Sequence, residues 1–203
     1  LAACSSDVAA AWVRKNSAVD TFTFRIATSP ERFGSGSQPK DERYTSDYCF
    51  TGSFWGAFRE IETFQPASVP HEFAIFGAGW EDHENLGPAS RGPRPYSEMS
   101  KVYSGTKLLI DDANHVTKSW GSVNSRVFDG LMSGVLVLTN GEIGSSETFE
   151  GQVPVWRDAE DLTRLVSYYL ENPKERENLA AKLRDLVSQE HTYHCRARQL
   201  ENV

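Results

Sequence analysis

Residues 118–140, KSWGSVNSRVFDGLMSGVLVLTN, decide how this chain folds. The stretch runs from a polar Gly-Ser turn into a helix around Val123 to Met132. It stops at Ser133-Gly134 and resumes as an apolar strand from Val135 to Thr139. Packing against a sheet needs only Val127, Phe128, Leu131 and Met132, so Asn124, Arg126 and the Asp129-Gly130 pair are surplus to a purely structural helix. A helix amino terminus leaves backbone N–H groups unpaired and carries partial positive charge, which suits a phosphate. Gly121 and Ser122 open that end to a ligand, Arg126 offers a bidentate contact to a diphosphate, and Asn124 can reach a sugar hydroxyl. Asp129 is acceptor-only, which fits two adjacent ribose hydroxyls. Gly130 costs about 1 kcal/mol against alanine inside a helix, so a neighbour must approach closely there. The same residues admit a plainer reading, in which Ser122 and Asn124 cap the helix and Arg126 pairs with Asp129 at i,i+3.

Outward from this stretch, strands and helices alternate. LAACSS reads as a strand, DVAAAWVRKN as a helix capped by Ser6 or Asp7, and TFTFRI as a strand. Residues 27–46 are polar and rich in Gly, Ser and Pro, a connector. DYCFTGSFW then gives a strand ending at Gly52-Ser53, WGAFREIETF a helix, EFAIFGAGW a strand, YSEMSKVYSG a helix and KLLIDD a strand. After residue 140 come a helix in GEIGSSETF, a short strand in VPVW, and helices from Asp158 to Asn172, from Pro173 to about Glu190 and from about Thr192 onward. Such alternation means an α/β fold, an open parallel sheet with helices on both faces. Ligands in these sheets sit beyond the carboxyl ends of the strands, which directs attention to the loops after Gly52, Gly77, Asp111 and Ser119.

Composition narrows the classes. A chain of 203 residues with 39% apolar content can bury one substantial core, as one large domain or one and a half. No apolar run approaches 18 residues and the amino end lacks a basic signal-peptide start, so a cytoplasmic protein without a transmembrane segment is expected. Three widely spaced cysteines argue against a disulfide framework, and a net charge of −7 argues against nucleic acid as a partner. FGAGWED has Asp82 where a dinucleotide fingerprint wants its third glycine, and no P-loop pattern occurs. His191, His194 and Cys195 fit a capped terminal helix better than a metal site. Arg59 reads either as a phosphate contact or as a solvated position, and Tyr96 either as a stacking partner for a base or as packing.

VYSGTKLLIDDANHVTKSWGSVNSRVFDGLMSGVLVLTN closely resembles the nucleotide-sugar-binding half of group 1, fold-B (GT-B) glycosyltransferases, in particular the subgroup similar to spore maturation glycosyltransferases. In that family a strand and loop lead into N-x-R-x-F-E-A-x-A-x-G. DYCFTGSFWGAFRE resembles the first strand-loop-helix of the half, VWRDAEDLTRLVSYYLENPKERENLAAK its closing helices and HTYHCRARQL its terminal helix. CSSDVAAAWVRKN and IATSPERF resemble the tail of the preceding acceptor-binding half and its linker.

The resemblance implies the C-terminal half of a GT-B fold. Residues 1–46 would be a remnant of the other half plus linker, 47–190 the Rossmann-like donor domain, and 191–203 a terminal crossover helix. A missing N-terminal half would supply the acceptor side. The partners implied are a nucleotide sugar, as substrate and not cofactor, and a glycan or other hydroxylated acceptor. Gly52, Ser53, Arg59, Tyr96, Gly121, Ser122, Asn124 and Asp129 would line the donor site, and Arg126 would stabilise the leaving diphosphate. Asp129 stands where relatives often have glutamate, and Gly121 where many retaining relatives carry a second one. Fold-B enzymes generally use helix dipoles and basic residues on the diphosphate, so Asp111-Asp112 is not read as a metal pair and no metal is expected. A non-catalytic nucleotide-binding module and a nucleotide-sugar epimerase of the same fold are the alternatives.

Overall fold

A computed structural model describes residues 1–34 and 41–202. Part of the expected 27–46 connector, residues 35–40, and the final residue of the expected crossover segment lie outside them. The chain opens with β1 (Ala2–Cys4), α1 (Asp7–Asn16) and β2 (Thr21–Thr23), followed by the single turn α2 (Pro30–Phe33). β3 (Ser46–Thr51), β4 (Phe73–Phe76), α3 (Met99–Ser104), β5 (Thr106–Ile110), α4 (His115–Ser119), α5 (Ser125–Met132) and β6 (Leu136–Leu138) form the centre. α6 (Glu142–Phe149), α7 (Ala159–Glu171), α8 (Pro173–Glu190) and α9 (Tyr193–Glu201) complete it.

The main sheet has the order β4-β3-β5-β6, and all its pairings are parallel. Tyr48, Cys49 and Phe50 of β3, Leu108 to Ile110 of β5 and Leu136 to Leu138 of β6 are all buried, the continuous apolar run that a sheet covered on both faces requires. β4 lies on one side of β3 and β5 on the other, so strand order reverses at β3 and opens a crevice at the carboxyl ends of β3 and β5. α5 seats its apolar side on this sheet, and here the mid-helix glycine has its reason. A Cβ on Gly130 would lie 2.5 Å from Leu109 Cδ2 and 3.1 Å from Val137 Cγ2, so only glycine lets the helix lie this close.

β1 and β2 pair in parallel as a separate two-stranded sheet, with α1 crossing between them. This unit is seated against the main body. The N–H groups of Asp7 and Val8, unpaired at the start of α1, donate to Glu147 of α6 at 2.9 and 3.2 Å. Trp12 meets Trp120 edge to face at 5.6 Å, and Ser6 donates to the Trp120 carbonyl. At the other end Thr28 bridges the start of α9: its N–H donates to the His191 carbonyl, and the Tyr193 N–H donates to the Thr28 carbonyl, each at 3.0 Å.

Three expectations are corrected. WGAFREIETF forms no α-helix. Ile61 and Phe64 are buried while Trp55 and Phe58 are 83% and 70% exposed, and Gly56 has φ of +76°. A left-handed residue breaks any α-helix there, and the segment closes with a 3-10 turn at Glu60–Thr63. VPVW contributes only an isolated bridge, Thr139 to Val155. α5 starts at Ser125 and not near Val123, because the Asn124 side chain takes the cap by accepting from the Arg126 N–H at 3.1 Å. Among the described residues no helix is long and apolar enough to cross a membrane.

Candidate functional site

Phe50, fully buried near the end of β3, lies beneath the arginines that line the crevice. Two guanidinium groups lie over its ring, those of Arg59 and Arg126, each 5.0 Å from the centroid. Arg126 comes from the first turn of α5. Its Nη1 donates to Asp111 Oδ1 at 2.6 Å and its Nε to Thr51 Oγ1 at 3.1 Å. Arg59 comes from the loop after β3. Its Nε donates to Asp112 Oδ2 at 3.1 Å, and its Nη2 to the Asp112 carbonyl at 2.8 Å. Each arginine is thus held by one member of the Asp111-Asp112 pair that directly follows β5.

The carboxylates are themselves braced. Thr139 Oγ1 donates to Asp111 Oδ2 at 2.8 Å, and Asn140 Nδ2 to Asp112 Oδ1 at 2.9 Å. Burial pushes the Asp112 carboxyl above its ordinary range, and Arg59 works against that shift. With the acceptors occupied this way, Asp111 and Asp112 serve the arginines. Among the described residues no group of three or more His, Cys, Asp or Glu is placed to hold a metal ion.

A cavity of about 780 Å³ stands beside these arginines, lined by Gly52, Ser53, Arg59, Asp112, Asn124 and Arg126 among others. Its volume suits a drug-sized or nucleotide-sized ligand. A smaller one of about 260 Å³ adjoins it and adds Tyr96 and Asp129 to the shared Gly52, Ser53, Asn124 and Arg126. Backbone proximity shapes the entrance: a Cβ on Gly77 would lie 2.0 Å from the Gly52 carbonyl oxygen, and Trp80 Nε1 donates to that same oxygen at 2.7 Å.

The structure therefore brings Gly52, Ser53, Arg59, Asn124 and Arg126 together around one space, with Ser122 on its edge. Asn124 is the helix cap, and Ser122 Oγ lies 2.6 Å from Ser5 Oγ of the amino-terminal unit, so these two do structural work as well. Gly121 does not open the helix end to a ligand. At φ of +69° its would-be Cβ points at Ile143 Cγ2, 2.6 Å away, because α6 packs there. Arg126 pairs with Asp111, not with Asp129 at i,i+3.

Asp129 is also not the free acceptor expected of it. It is only 2% exposed, Thr28 Oγ1 donates to its Oδ1 at 2.6 Å and the Tyr96 hydroxyl to its Oδ2 at 2.9 Å. Burial raises its carboxyl above the ordinary range despite those two hydrogen bonds. Tyr96 is half exposed, but Arg32 already lies over its ring at 4.8 Å and Phe33 packs edge-on, so that ring is not an open platform for a base. Thr51, Trp80, Asn140 and Thr139 carry the site without having been singled out in the sequence. Only their positions at strand ends hinted at it.

His191 and its neighbours form a cap, as the sequence indicated. Thr192 Oγ1 accepts from the Cys195 N–H, while His191 is buried between the Thr148 carbonyl and Arg196.

Solved structures share this architecture. Sucrose-phosphate synthase from Thermosynechococcus elongatus superposes with a TM-score of 0.71 at 15% identity, over 98% of this chain and 56% of that one. Anabaena HepE, solved in complex with UDP and glucose, gives 0.70 at 10% identity, over 100% of this chain and 62% of its own. The C-terminal domain of the group 1 glycosyl transferase LpcC from Francisella tularensis gives 0.56 at 9% identity, over 81% of this chain and 98% of that domain. The chain spans about three fifths of the length of the first two. No curated protein matches it. The fold is that of GT-B glycosyltransferases, parallel sheets flanked by helices. A family model described as glycosyl transferase-like matches residues 59–202, most of the chain, and the protein belongs to that family.

Proposed function

We propose that this chain is the donor-binding half of a glycosyltransferase, holding a nucleotide sugar while the sugar is transferred to a glycan or other hydroxylated acceptor. The observation that carries the reading is the pair of anchored arginines over Phe50, at the carboxyl ends of β3 and β5, beside the amino end of α5. Substitution at the anomeric carbon leaves a nucleoside diphosphate whose negative charge grows as the bond breaks. Cations fixed in advance stabilise that charge without reorganising during the reaction. Arg126 keeps donors beyond those given to Asp111 and Thr51, because a guanidinium carries five N–H groups. Its Nη2 lies beside Gly52, where a Cβ would approach it to 3.0 Å, so glycine leaves that edge uncovered.

In this reading the donor is a substrate and no cofactor or metal is needed. A second Rossmann-like half supplies the acceptor side, the enzyme works in the cytoplasm, and the spore-maturation-like subgroup is the group of relatives it resembles in sequence. Asp129 acts through Tyr96 and Thr28 and touches ribose only if one of those hydroxyls gives way. One observation favours a second reading, a nucleotide-binding module without transfer activity. Ile143 fills the space beside Gly121, where many retaining relatives place a glutamate.

A thermal-shift panel of nucleoside diphosphates, nucleotide sugars and bare nucleosides decides the first point. Stabilisation by the diphosphates and nucleotide sugars but not by nucleosides supports the donor site, and no response to any of them overturns it. Transfer or hydrolysis by the complete parent protein separates enzyme from binding module, and a rearranged sugar on the nucleotide would identify an epimerase.

A further inference from the structure

We infer that Asp111 and Asp112 are positioning residues for anion binding: two consecutive carboxylates that hold Arg126 and Arg59 in the geometry a diphosphate needs, although their own charge repels it. The inference rests on the proposed donor site and assigns that site its second layer. Adjacent residues directly after β5 reach two arginines that arrive from different elements, α5 and the loop after β3. Asp111 takes Arg126 through one oxygen and Thr139 through the other. Asp112 takes Arg59 through side chain and backbone, and Asn140 through its remaining oxygen. Asn140 is in turn fixed, its Oδ1 accepting from the Ala113 N–H at 2.7 Å. Both guanidiniums end 5.0 Å from one aromatic centroid.

Two effects of removing a carboxylate oppose each other, and their sign is the test. Deleting a negative charge near a bound anion strengthens anion binding by Coulomb's law. Deleting the anchor releases a long side chain whose ordering must then be supplied at binding, which weakens it. A carboxylate that merely neutralises its arginine shows the first effect, and a positioning carboxylate shows the second. Asp111→Asn separates them further, because its amide oxygen can still accept from Arg126 while the charge is gone.

The experiment is calorimetric titration of the intact chain with inorganic pyrophosphate, UDP and uridine, for wild type, Asp111→Ala, Asp111→Asn and Asp112→Ala, with melting curves on each. The expected result is that both alanine variants lose about tenfold in affinity for pyrophosphate and UDP, the scale of a lost charge-assisted hydrogen bond. Uridine binding should stay within about twofold, and Asp111→Asn should recover most of the loss. Unchanged or tighter pyrophosphate binding in the alanine variants overturns the inference and leaves the donor site standing, as does an equal loss for uridine. If the wild type binds neither pyrophosphate nor UDP, the donor-site reading fails and the inference falls with it. Should Asp111→Ala not fold, Asp112→Ala decides, since Arg59 sits on the loop after β3, where Trp55 and Phe58 are exposed.

Discussion

The two loops that deliver arginines to Phe50 are built differently. The turn before α5, from Trp120 to Asn124, is tied to neighbouring elements along its length: Trp120 against Trp12, Gly121 against Ile143, Ser122 against Ser5, and Asn124 onto the helix it caps. The loop after β3 is fixed only near its ends. Trp80 and Ala78 hold Gly52 and Phe54, Asp112 holds Arg59, and between them Trp55 and Phe58 face solvent while a Cβ on Gly56 would meet nothing. One wall of the cavity is therefore preformed by tertiary packing and the other has room to adjust around a ligand. In the proposed two-half transferase that division would be useful, the rigid wall orienting the leaving group and the adjustable one admitting and releasing the donor.

Arg126→Ala should show the largest effect of this asymmetry. It leaves Asp111, nearly fully buried, without its cation, and removing one partner of a buried pair costs about 3–5 kcal/mol. Asp112 is just as buried, but after Arg59→Ala it keeps Asn140 and lies beside the loop whose Trp55 and Phe58 are exposed, where water can enter, so that loss should be smaller, about 1–2 kcal/mol. Urea unfolding of both variants measures the gap, and equal losses would mean that the two walls are equally rigid.

Next in size is a pH effect on the packed side, where His191 ties α9 to α6. Its Nδ1 faces Arg196 Nη2 at 2.8 Å and its Nε2 the Thr148 carbonyl at 3.2 Å, so the neutral ring is the form that fits. Burial, together with the Arg196 charge, pulls its pKa down to about 4 from an ordinary 6.5. The unfolded chain therefore binds the proton first as pH falls. The stability this histidine contributes is complete above pH 6.5 and is lost between 6.5 and 4, about 3 kcal/mol in all. Unfolding free energies across that window should fall in wild type and flatten in His191→Gln.

Glycine substitutions give a smaller contrast. Gly56→Ala meets open space and should cost about 1 kcal/mol for its left-handed backbone alone, whereas Gly121→Ala adds the Ile143 contact and should cost about 2–3 kcal/mol. The smallest effect belongs to Trp55→Ala, expected within about 0.5 kcal/mol in stability because the ring is exposed. A large destabilisation there would show that the loop is packed after all.

Strand and helix order was readable from residue pattern because the α/β alternation is local and periodic, as Leu136 to Leu138 and the heptad-like spacing of Val127, Phe128 and Leu131 show. Gly130 signalled a close approach, though not that the neighbour would be the sheet. Residues 55–64 misled because Trp55, Phe58 and Ile61 have helical spacing, yet Gly56 and the burial of Ile61 and Phe64 alone favour a turn. At the site, Arg126, Arg59, Gly52 and Ser53 were legible from charge and glycine at strand ends. The engagement of Asp129 by Thr28 and Tyr96 was not, since it joins residues 101 and 33 positions apart, and no local pattern encodes such partners. The role of Asp111-Asp112 was hidden likewise, because a paired acid looks the same whether it binds a cation from solvent or two from its own chain.

The central claim is that a donor diphosphate lies on the two arginines over Phe50. A crystal structure of the chain soaked with a nucleoside diphosphate tests it most directly. The account predicts diphosphate oxygens within hydrogen-bonding distance of the Arg126 and Arg59 guanidiniums, with Asp111 and Asp112 still holding them. A diphosphate bound elsewhere, for instance at the surface hollow between Arg157, just before α7, and Arg164 on it, with the space over Phe50 empty, would contradict it.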